Sequence, residues 1–460
     1  MDYRTKNRLL YRFKLRCVKL LNLILMTAGF AFVWNNFLKD DVYVPFFYKG
    51  NIFVIALFFF IYYMYGRTYE AFLISYNRIS EMIYSQMLAL LVTDVIMYVI
   101  SWLLIRFLPS FLPFAILLGI QLIVSILWST LSHVWYFHKY SAKKTVVIWD
   151  MRQGLEELVA SYGLEKKFNV CADYRVDKCI KNLAVLNETE TVFLAGIHSH
   201  DRNIIIKYCV EHHISVFVIP RVGDVLMSGA KRMHLFHLPI LRLERYDPNP
   251  EFVVIKRAFD IIVSALAIVL SSPIAIVTAV AIKATDGGPV FYKQCRLTKD
   301  GKMFNVLKFR SMRIDAEKDG VARLSTGEND NRITPVGKVI RKYRIDELPQ
   351  FINIFMGDMS FVGPRPERPE IAEEYEKDLP EFRLRLQAKC GLTGYAQVYG
   401  KYNTIPYDKL QMDLMYISNP SLMQDLGIMF ATVKILFASE STEGVQEGQT
   451  TAMNNKVKEK

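Results

Sequence analysis

The sequence is poor in the residues that most metal and nucleophile chemistries need. Its six cysteines (Cys17, Cys171, Cys179, Cys209, Cys295 and Cys390) form no Cys-x-x-Cys pair. A zinc framework is thereby excluded, and the thiols read as free rather than bridged. All eight histidines lie at or before His237, and the 223 residues that follow have none. Chemistry in that region has no Ser-His-Asp triad, no Cys-His pair, no phosphohistidine and no His-ligated zinc. Carboxylates, Lys/Arg and hydroxyls are left, so a metal there would be a hard, oxygen-bound ion such as magnesium. An Asp-x-Asp metal motif is missing, and so is a Gly-x-Gly-x-x-Gly turn after the first β-rich run.

Apolar residues, in contrast, are plentiful. They make up 52% of the 460 residues, aromatics make up 13%, and the mean hydropathy is +0.17. Yet 22% of residues are charged, and the net charge is +12. A wholly soluble enzyme, a disordered chain and a pure membrane bundle are all excluded, so the two kinds of residue must be segregated along the chain. Half of the basic excess lies in residues 1–19, which carry a net +6. A second concentration, fourteen basic against six acidic groups, lies in 293–344. Neither calls for a nucleic-acid partner.

Four apolar stretches, roughly 20–38, 51–65, 87–108 and 114–137, predict four transmembrane helices in a domain spanning 1–140. The basic tail, the uncharged 109–113 loop and Lys139, Lys143 and Lys144 place the N terminus and residue 141 onward in the cytoplasm. Asp94 and Arg106 fall in or at the end of the third stretch, where interface snorkelling and a pair inside the bundle are equally open.

Residues 141–250 alternate strand-like runs (145–149, 191–195, 215–219) with helical patterns at 152–162 and 201–212. That alternation predicts a small Rossmann-like, parallel α/β domain. The first strand leads into Ile148-Trp-Asp-Met-Arg-Gln-Gly154. A structural or regulatory role is therefore favoured over dinucleotide binding.

Residues 261–282 are long and apolar enough to cross a membrane. However, Ser271-Ser272-Pro273 sits at the midpoint and predicts a break. Both flanks are basic, with Lys256 and Arg257 before and Lys283, Lys293 and Arg296 after, which keeps both ends in the cytoplasm. A re-entrant helix that bends at Pro273 meets both conditions. At its interface end, Lys256 and Arg257 are placed to meet lipid phosphates, with Asp260 paired to Arg257.

The densest motif follows. Asp346 and Glu347 come directly after Arg341, Lys342 and Arg344. On a helix they would diverge by about 100° yet share one metal ion. An aspartate beside magnesium and arginines is suited to covalent attack on a phosphoryl group. Around the pair lie Lys308-Phe-Arg310-Ser-Met, Arg332-Ile-Thr-Pro, and Gly363-Pro-Arg365-Pro, whose arginine fork suits a phosphate. Gly391-Leu-Thr393-Gly-Tyr-Ala-Gln397 fits a nucleotide-touching loop and an ordinary tight turn equally.

Read together, Lys256-Arg257-x-x-Asp260, the central Ser-Pro, Gly287-Gly-Pro-Val-Phe, Lys308-Phe-Arg-Ser-Met, Asp346-Glu-Leu-Pro-Gln, Gly363-Pro-Arg-Pro and Gly391-Leu-Thr-Gly resemble the bacterial sugar transferases in order and spacing. These are the monotopic polyprenyl-phosphate phosphoglycosyl transferases. The resemblance covers roughly 252–440, and the whole chain is similar to the long-form members. It implies a mostly α catalytic domain at 251–440 and a magnesium-dependent covalent reaction at the plasma membrane. The catalytic and middle domains would face the cytoplasm. Asp346 would attack a UDP-sugar and expel UMP, and undecaprenyl phosphate would then take the phosphosugar. This would be the first membrane step of exopolysaccharide, capsule or O-antigen synthesis. Glu347 would assist with metal or proton, Arg365 would steady phosphate, and Lys308 and Arg310 are lesser candidates. Arg332, Arg341, Thr393 and Gln397 complete the expected substrate-binding set. Membrane-interface roles fall to Lys256, Arg257, Asp260, Ser272 and Pro273, and metal ligation to Asp346 and Glu347. A homodimer is left open, and no motif specifies the sugar. Residues 441–460 read as a flexible tail. Two rival readings remain: a glycosyltransferase without a covalent intermediate, and a membrane scaffold or regulator of polysaccharide export.

Overall fold

The computed structural model describes residues 3–246, 248–313, 332–400 and 404–436. The expected tail at 441–460 lies outside the described residues. The chain divides into two compact units, with the division between Ile219 and Pro220.

The first unit opens with helices α1 (Tyr3–Val33), α2 (Tyr48–Thr68), α3 (Ile79–Ile105) and α4 (Leu112–Lys139), each apolar and long enough to cross a membrane. A chain of buried polar groups ties them together. Asn22 on α1 accepts from the Tyr62 hydroxyl of α2 at 2.8 Å and donates to Gln86 of α3 at 3.1 Å. Gln86 in turn donates to Ser129 of α4 at 3.1 Å. Lipid tails are as apolar as leucine, so such hydrogen bonds and close packing, not hydrophobic burial, fix helix pairing. Asp94 of α3 and Arg106 at its C-cap separate in role. Asp94 is buried and accepts from Gln121 of α4 at 3.1 Å. Arg106 ends α3 in a left-handed conformation and covers the Tyr43 ring at 3.9 Å.

A four-stranded parallel sheet follows, made of β1 (Lys143–Trp149), β2 (Phe168–Arg175), β3 (Thr191–Ala195) and β4 (Ser215–Ile219) in the order β2-β1-β3-β4. Three strands match the sequence expectation. The sequence reading missed β2 because its alternate residues Asn169, Cys171, Asp173 and Arg175 face solvent, as suits an edge strand, and no continuous apolar run announces it. Helices Leu155–Ser161 and Ser199–Glu211 cover the expected helical patterns.

Residues 220–250, assigned from sequence to the middle domain, belong instead with the second unit. Val222 and Val225 share its hydrophobic core with Phe361, Leu410 and Leu414, and the Gln411 side chain bonds the Pro220 carbonyl. Apolar contact carries these residues across the expected boundary.

Residues Pro250–Asp286 form one helix of 37 residues with Pro273 inside it. The expected break is not found, and local chemistry explains why. Pro273 has no N–H for the Val269 carbonyl, and the Ser272 hydroxyl donates to that carbonyl instead, at 2.8 Å. Both halves of the helix pack on the same unit. Val263 joins the main core, while Ala275, Ala279 and Ile282 pack with Phe309 and Ile340. The opposite face, including Ile262, Leu266, Val269, Leu270 and Val277, is exposed.

Lys256, Arg257 and Asp260 turn onto protein. Lys256 Nζ lies 2.5 Å from the Asp425 carboxylate and donates to the Val362 carbonyl at 3.0 Å. Arg257 donates to the carbonyls of Ile354 and Phe355, both at 2.8 Å. Asp260 is buried and accepts from Ser360 Oγ and Phe361 N at 3.1 Å each, so the expected Asp260–Arg257 pair gives way to a tie between helix and strand. Breaking a buried ion pair on one side leaves an uncompensated charge. Lys256→Met is expected to destabilise the second unit by about 3–5 kcal/mol. Thermal unfolding in detergent checks this, and adding Asp425→Asn should restore part of the loss.

Candidate active site

The site is assembled on three short pieces. Strand Met303–Phe309 pairs antiparallel with Phe291–Leu297 and carries Lys308 opposite Tyr292. Helix Pro335–Lys342 starts at an N-cap where Thr334 accepts from Gly337 N at 2.9 Å. A Cβ at position 337 would collide with the Ser311 carbonyl, so glycine lets this helix close on the Lys308-Phe-Arg-Ser run. The helix delivers Arg341 in its last turn. Arg344 then adopts φ +52° and reverses the chain into a 3-10 turn, Ile345–Glu347.

That turn replaces the expected α-helical placement of the acidic pair. Successive side chains in a 3-10 turn lie about 120° apart. Ile345 and Leu348 pack on the cluster of Ile282, Phe309 and Ile340, which anchors the carboxylates from both sides.

The two acids meet different surroundings. Glu347 lies 3.3 Å from Lys308 Nζ, 3.7 Å from Arg365 and 3.9 Å from Arg344. Burial pushes its carboxyl up, but Lys308, Arg365 and Arg344 outweigh burial and hold it well below the usual range. Asp346 has no hydrogen bond or ion pair among the described residues. Burial and the Glu347 charge push its carboxyl up, against Lys308, Arg341 and Arg344. Arg341 contributes a further opening, since its buried Nη1 has no hydrogen-bond partner among the described residues. Burial likewise pulls Lys308 down, with Glu347 opposing.

The structure thus brings together Asp346, Glu347, Lys308, Arg341 and Arg365 from the expected set. Arg344 joins them, a member of the motif run for which the sequence suggested no role. The other expected residues make contacts within the fold. Arg310 is buried, and its Nε donates to the Pro289 carbonyl at 2.7 Å. Arg332 sits beside the Met312–Ile333 bridge, where its carbonyl accepts from Arg313 N. Thr393 Oγ1 meets Thr432 Oγ1 at 2.6 Å, and Gln397 donates to the Leu392 carbonyl. The glycines of Gly391-Leu-Thr-Gly permit a close backbone crossing. Gly391 and Gly394 lie so near Gly363 that a Cβ on any of the three would strike backbone.

That crossing, the buried Arg385 and the half-buried Arg296 set the Arg365 loop. Arg385, paired with Asp413 at 2.7 Å, donates to the Arg365 carbonyl at 2.9 Å. Arg296 donates to the Pro366 carbonyl at 3.0 Å. Asn353 braces the Lys308 strand, accepting from Leu307 N and donating to the Asn305 carbonyl, both at 2.9 Å. Sequence reasoning missed these three. The Asn at the end of the Leu-Pro-Gln-Phe-Ile-Asn run was the nearest signal, but its use depends on a strand 46 residues away.

A cationic ring around two carboxylates, one clamped and one without a partner among the described residues, is suited to binding a diphosphate and attacking it. Among the described residues, no group of three or more His, Cys, Asp or Glu side chains could hold a metal. Two hard oxygen donors nevertheless fit magnesium, which usually takes one or two carboxylates and completes its shell with water and substrate phosphate.

Residues 252–439 match the family described as bacterial sugar transferase. The UDP-N-acetylgalactosamine-undecaprenyl-phosphate N-acetylgalactosaminephosphotransferase of Aeromonas hydrophila is 39% identical over 231 residues, covering 50% of this chain and 53% of the relative. A UDP-glucose:undecaprenyl-phosphate glucose-1-phosphate transferase of Caulobacter vibrioides is 36% identical over 209 residues, covering 44% of this chain and 78% of the relative. The UDP-galactose-lipid carrier transferase of Erwinia amylovora is 34% identical over 329 residues, covering 64% and 68%. The chain spans about half the length of several curated relatives it matches. The collinear motifs, the assembled carboxylate site and these matches agree: the chain belongs to the bacterial sugar transferase family.

Proposed function

We propose that the chain transfers a sugar 1-phosphate from a UDP-sugar to undecaprenyl phosphate, opening the synthesis of a surface polysaccharide. The observation that carries this reading is the inequality of the acids: Asp346 has no hydrogen bond or ion pair among the described residues, and Glu347 is held by three cations. An Asp346 oxygen attacks the sugar-bearing phosphorus, and the bond from that phosphorus to the UMP oxygen breaks. UMP leaves, and Asp346 holds the phosphosugar as an acyl phosphate. A phosphate oxygen of undecaprenyl phosphate then attacks the same phosphorus, the bond to Asp346 breaks, and undecaprenyl-diphosphate sugar departs. The printed names of the relatives supply the substrate classes.

Arg365, 44% exposed at its side chain, reaches from the ring toward incoming phosphate, and Arg341 has a donor near Asp346 that no described residue uses. Glu347 fixes Lys308, Arg344 and Arg365 in place before substrate arrives. Magnesium held by Asp346 and Glu347 would neutralise diphosphate charge. The test is purified protein with a panel of UDP-sugars and undecaprenyl phosphate. One sugar should appear on lipid with one UMP released per transfer, and the absence of lipid product from every sugar would refute the reading. In the same assay Arg365→Lys should retain charge but lose the fork, raising KM more than it lowers kcat. Arg365→Ala should lower kcat/KM by about 10²-fold.

The helix Pro250–Asp286, continuous through Pro273, is read as lying with both ends on one side of the membrane. The packing of residues on either side of Pro273 on one compact unit supports this reading. Cysteines placed at 254 and 284 should react with a membrane-impermeant maleimide from the same side in inverted vesicles. Reaction from opposite sides would establish a full crossing.

A further inference from the structure

A second site lies in the first unit, where the helical bundle meets the α/β sheet. A cavity of about 250 Å³ opens there. Its floor is α1, through Tyr11 and Lys19, and the α2–α3 connection, through Ser75 and Tyr76. Its roof is the sheet, through Lys143 at the start of β1 and Lys167 just before β2, with Phe168 and Phe217 closing an apolar side. The N terminus of α1, the α2–α3 connection and the end of α4 lie at one end of the bundle, since successive helices alternate in direction. That end is the cytoplasmic boundary on the charge bias of the sequence.

Three lysines line this space, and no acidic residue does. Among the described residues none of Lys19, Lys143 and Lys167 has a carboxylate partner. Lys167 is buried and donates to Ser75 Oγ at 2.9 Å, with its ammonium 2.7 Å from the centre of the Tyr76 ring. Burying an unpaired ammonium is costly, and its charge is suppressed until a counter-charge arrives. Burial first, and Lys143 second, pull Lys167 down to about 7. An anion between the lysines would relieve both effects.

The place and size narrow the ligand. Open parallel sheets usually bind nucleotides beyond the carboxyl ends of their strands. This cavity lies against the opposite ends of β1 and β2, so it is not the dinucleotide crevice that the sequence already disfavoured. Its volume is below the roughly 300–1,000 Å³ of sites for drug-sized ligands. A phosphate with a short polar stem fits, and a whole nucleotide sugar does not.

We propose that this cavity binds a phosphate-bearing anion of headgroup size, held by Lys19, Lys143 and Lys167 at the boundary between the bundle and the sheet. Phosphate oxygens accept from the three ammonium groups and the Ser75 hydroxyl, and Phe168 and Phe217 shield the stem. The ligand comes either from an anionic phospholipid of the bilayer or from free phosphate in solution.

The test uses the full chain in maltoside micelles, which carry no phosphate. Acylation of single lysines is followed by peptide mass spectrometry. Phosphatidylglycerol added to the micelles, or inorganic phosphate added to the buffer, should slow acylation of Lys143. At ten times the dissociation constant the slowing is about tenfold. Exposed Lys166 is the internal control and should be unaffected. Protection by phosphatidylglycerol alone assigns a lipid headgroup, and protection by inorganic phosphate assigns a soluble ligand. Lys167→Met should abolish either protection. If Lys143 is slowed by neither probe, or no more than Lys166, the proposal is overturned, and this readout needs no variant.

Discussion

Asp346→Asn is expected to abolish lipid-linked product, lowering turnover by about 10⁴-fold or more, the range seen when a covalent nucleophile is removed. The protein should stay folded. The Asp346 carboxylate has no hydrogen bond or ion pair among the described residues, so an isosteric amide leaves no partner stranded. Burial and Glu347 already disfavour its charge, and a neutral side chain costs the fold little. A thermal midpoint near that of the parent, alongside lost activity, separates a chemical role from a structural one. Labelled UMP should exchange into UDP-sugar without lipid in the parent and not in Asp346→Asn. Exchange that survives the substitution would sink the nucleophile assignment.

Glu347→Gln should cost about 10²–10³-fold in kcat, and its pH profile should move in a specified direction. Glu347 neutralises Lys308, Arg365 and Arg344 at 3.3, 3.7 and 3.9 Å. Its charge also pushes the Asp346 carboxyl up. Asp346 must be ionised to attack, so activity falls as pH drops through its pKa. Removing the Glu347 charge leaves the cations in place and lowers that pKa. The acid limb of the rate profile should therefore shift to lower pH even as the maximum rate falls. A purely structural role predicts a lower rate with an unmoved limb. The two variants thus differ: one loses the reaction at every pH, and the other keeps a slower reaction with a displaced profile.

Much of the membrane part was legible because its signals are local. Apolar length found all five candidate spans, and the alternation of strand and helix found three of four strands. The edge strand Phe168–Arg175 escaped because half its residues are wet. The break expected at Pro273 ignored that Ser272, one residue earlier, could occupy the orphaned Val269 carbonyl. At the site, Asp346, Glu347, Lys308, Arg341 and Arg365 stood out as charges beside turn residues. The sequence could not distinguish an arginine beside the carboxylate pair from one that holds backbone. Arg365 and Arg385 look alike in sequence, yet Arg385 is buried against Asp413 and carries the Arg365 loop. Lys256 and Arg257 were misplaced for the same reason. A basic residue at the end of an apolar helix suggests lipid, and here Asp425 and the end of helix Gln350–Met356 compete for it and win. Long-range partners decide such cases, and adjacent residues do not reveal them.

The central claim is that Asp346 carries the phosphosugar between two substrates. Incubating the purified protein with its UDP-sugar in the absence of undecaprenyl phosphate, followed by acid quench and peptide mass spectrometry, tests it most directly. The predicted result is one sugar phosphate attached to the peptide containing Asp346, discharged when undecaprenyl phosphate is added. UMP released only when lipid is present, with that peptide unmodified throughout, would mean direct transfer and contradict the account.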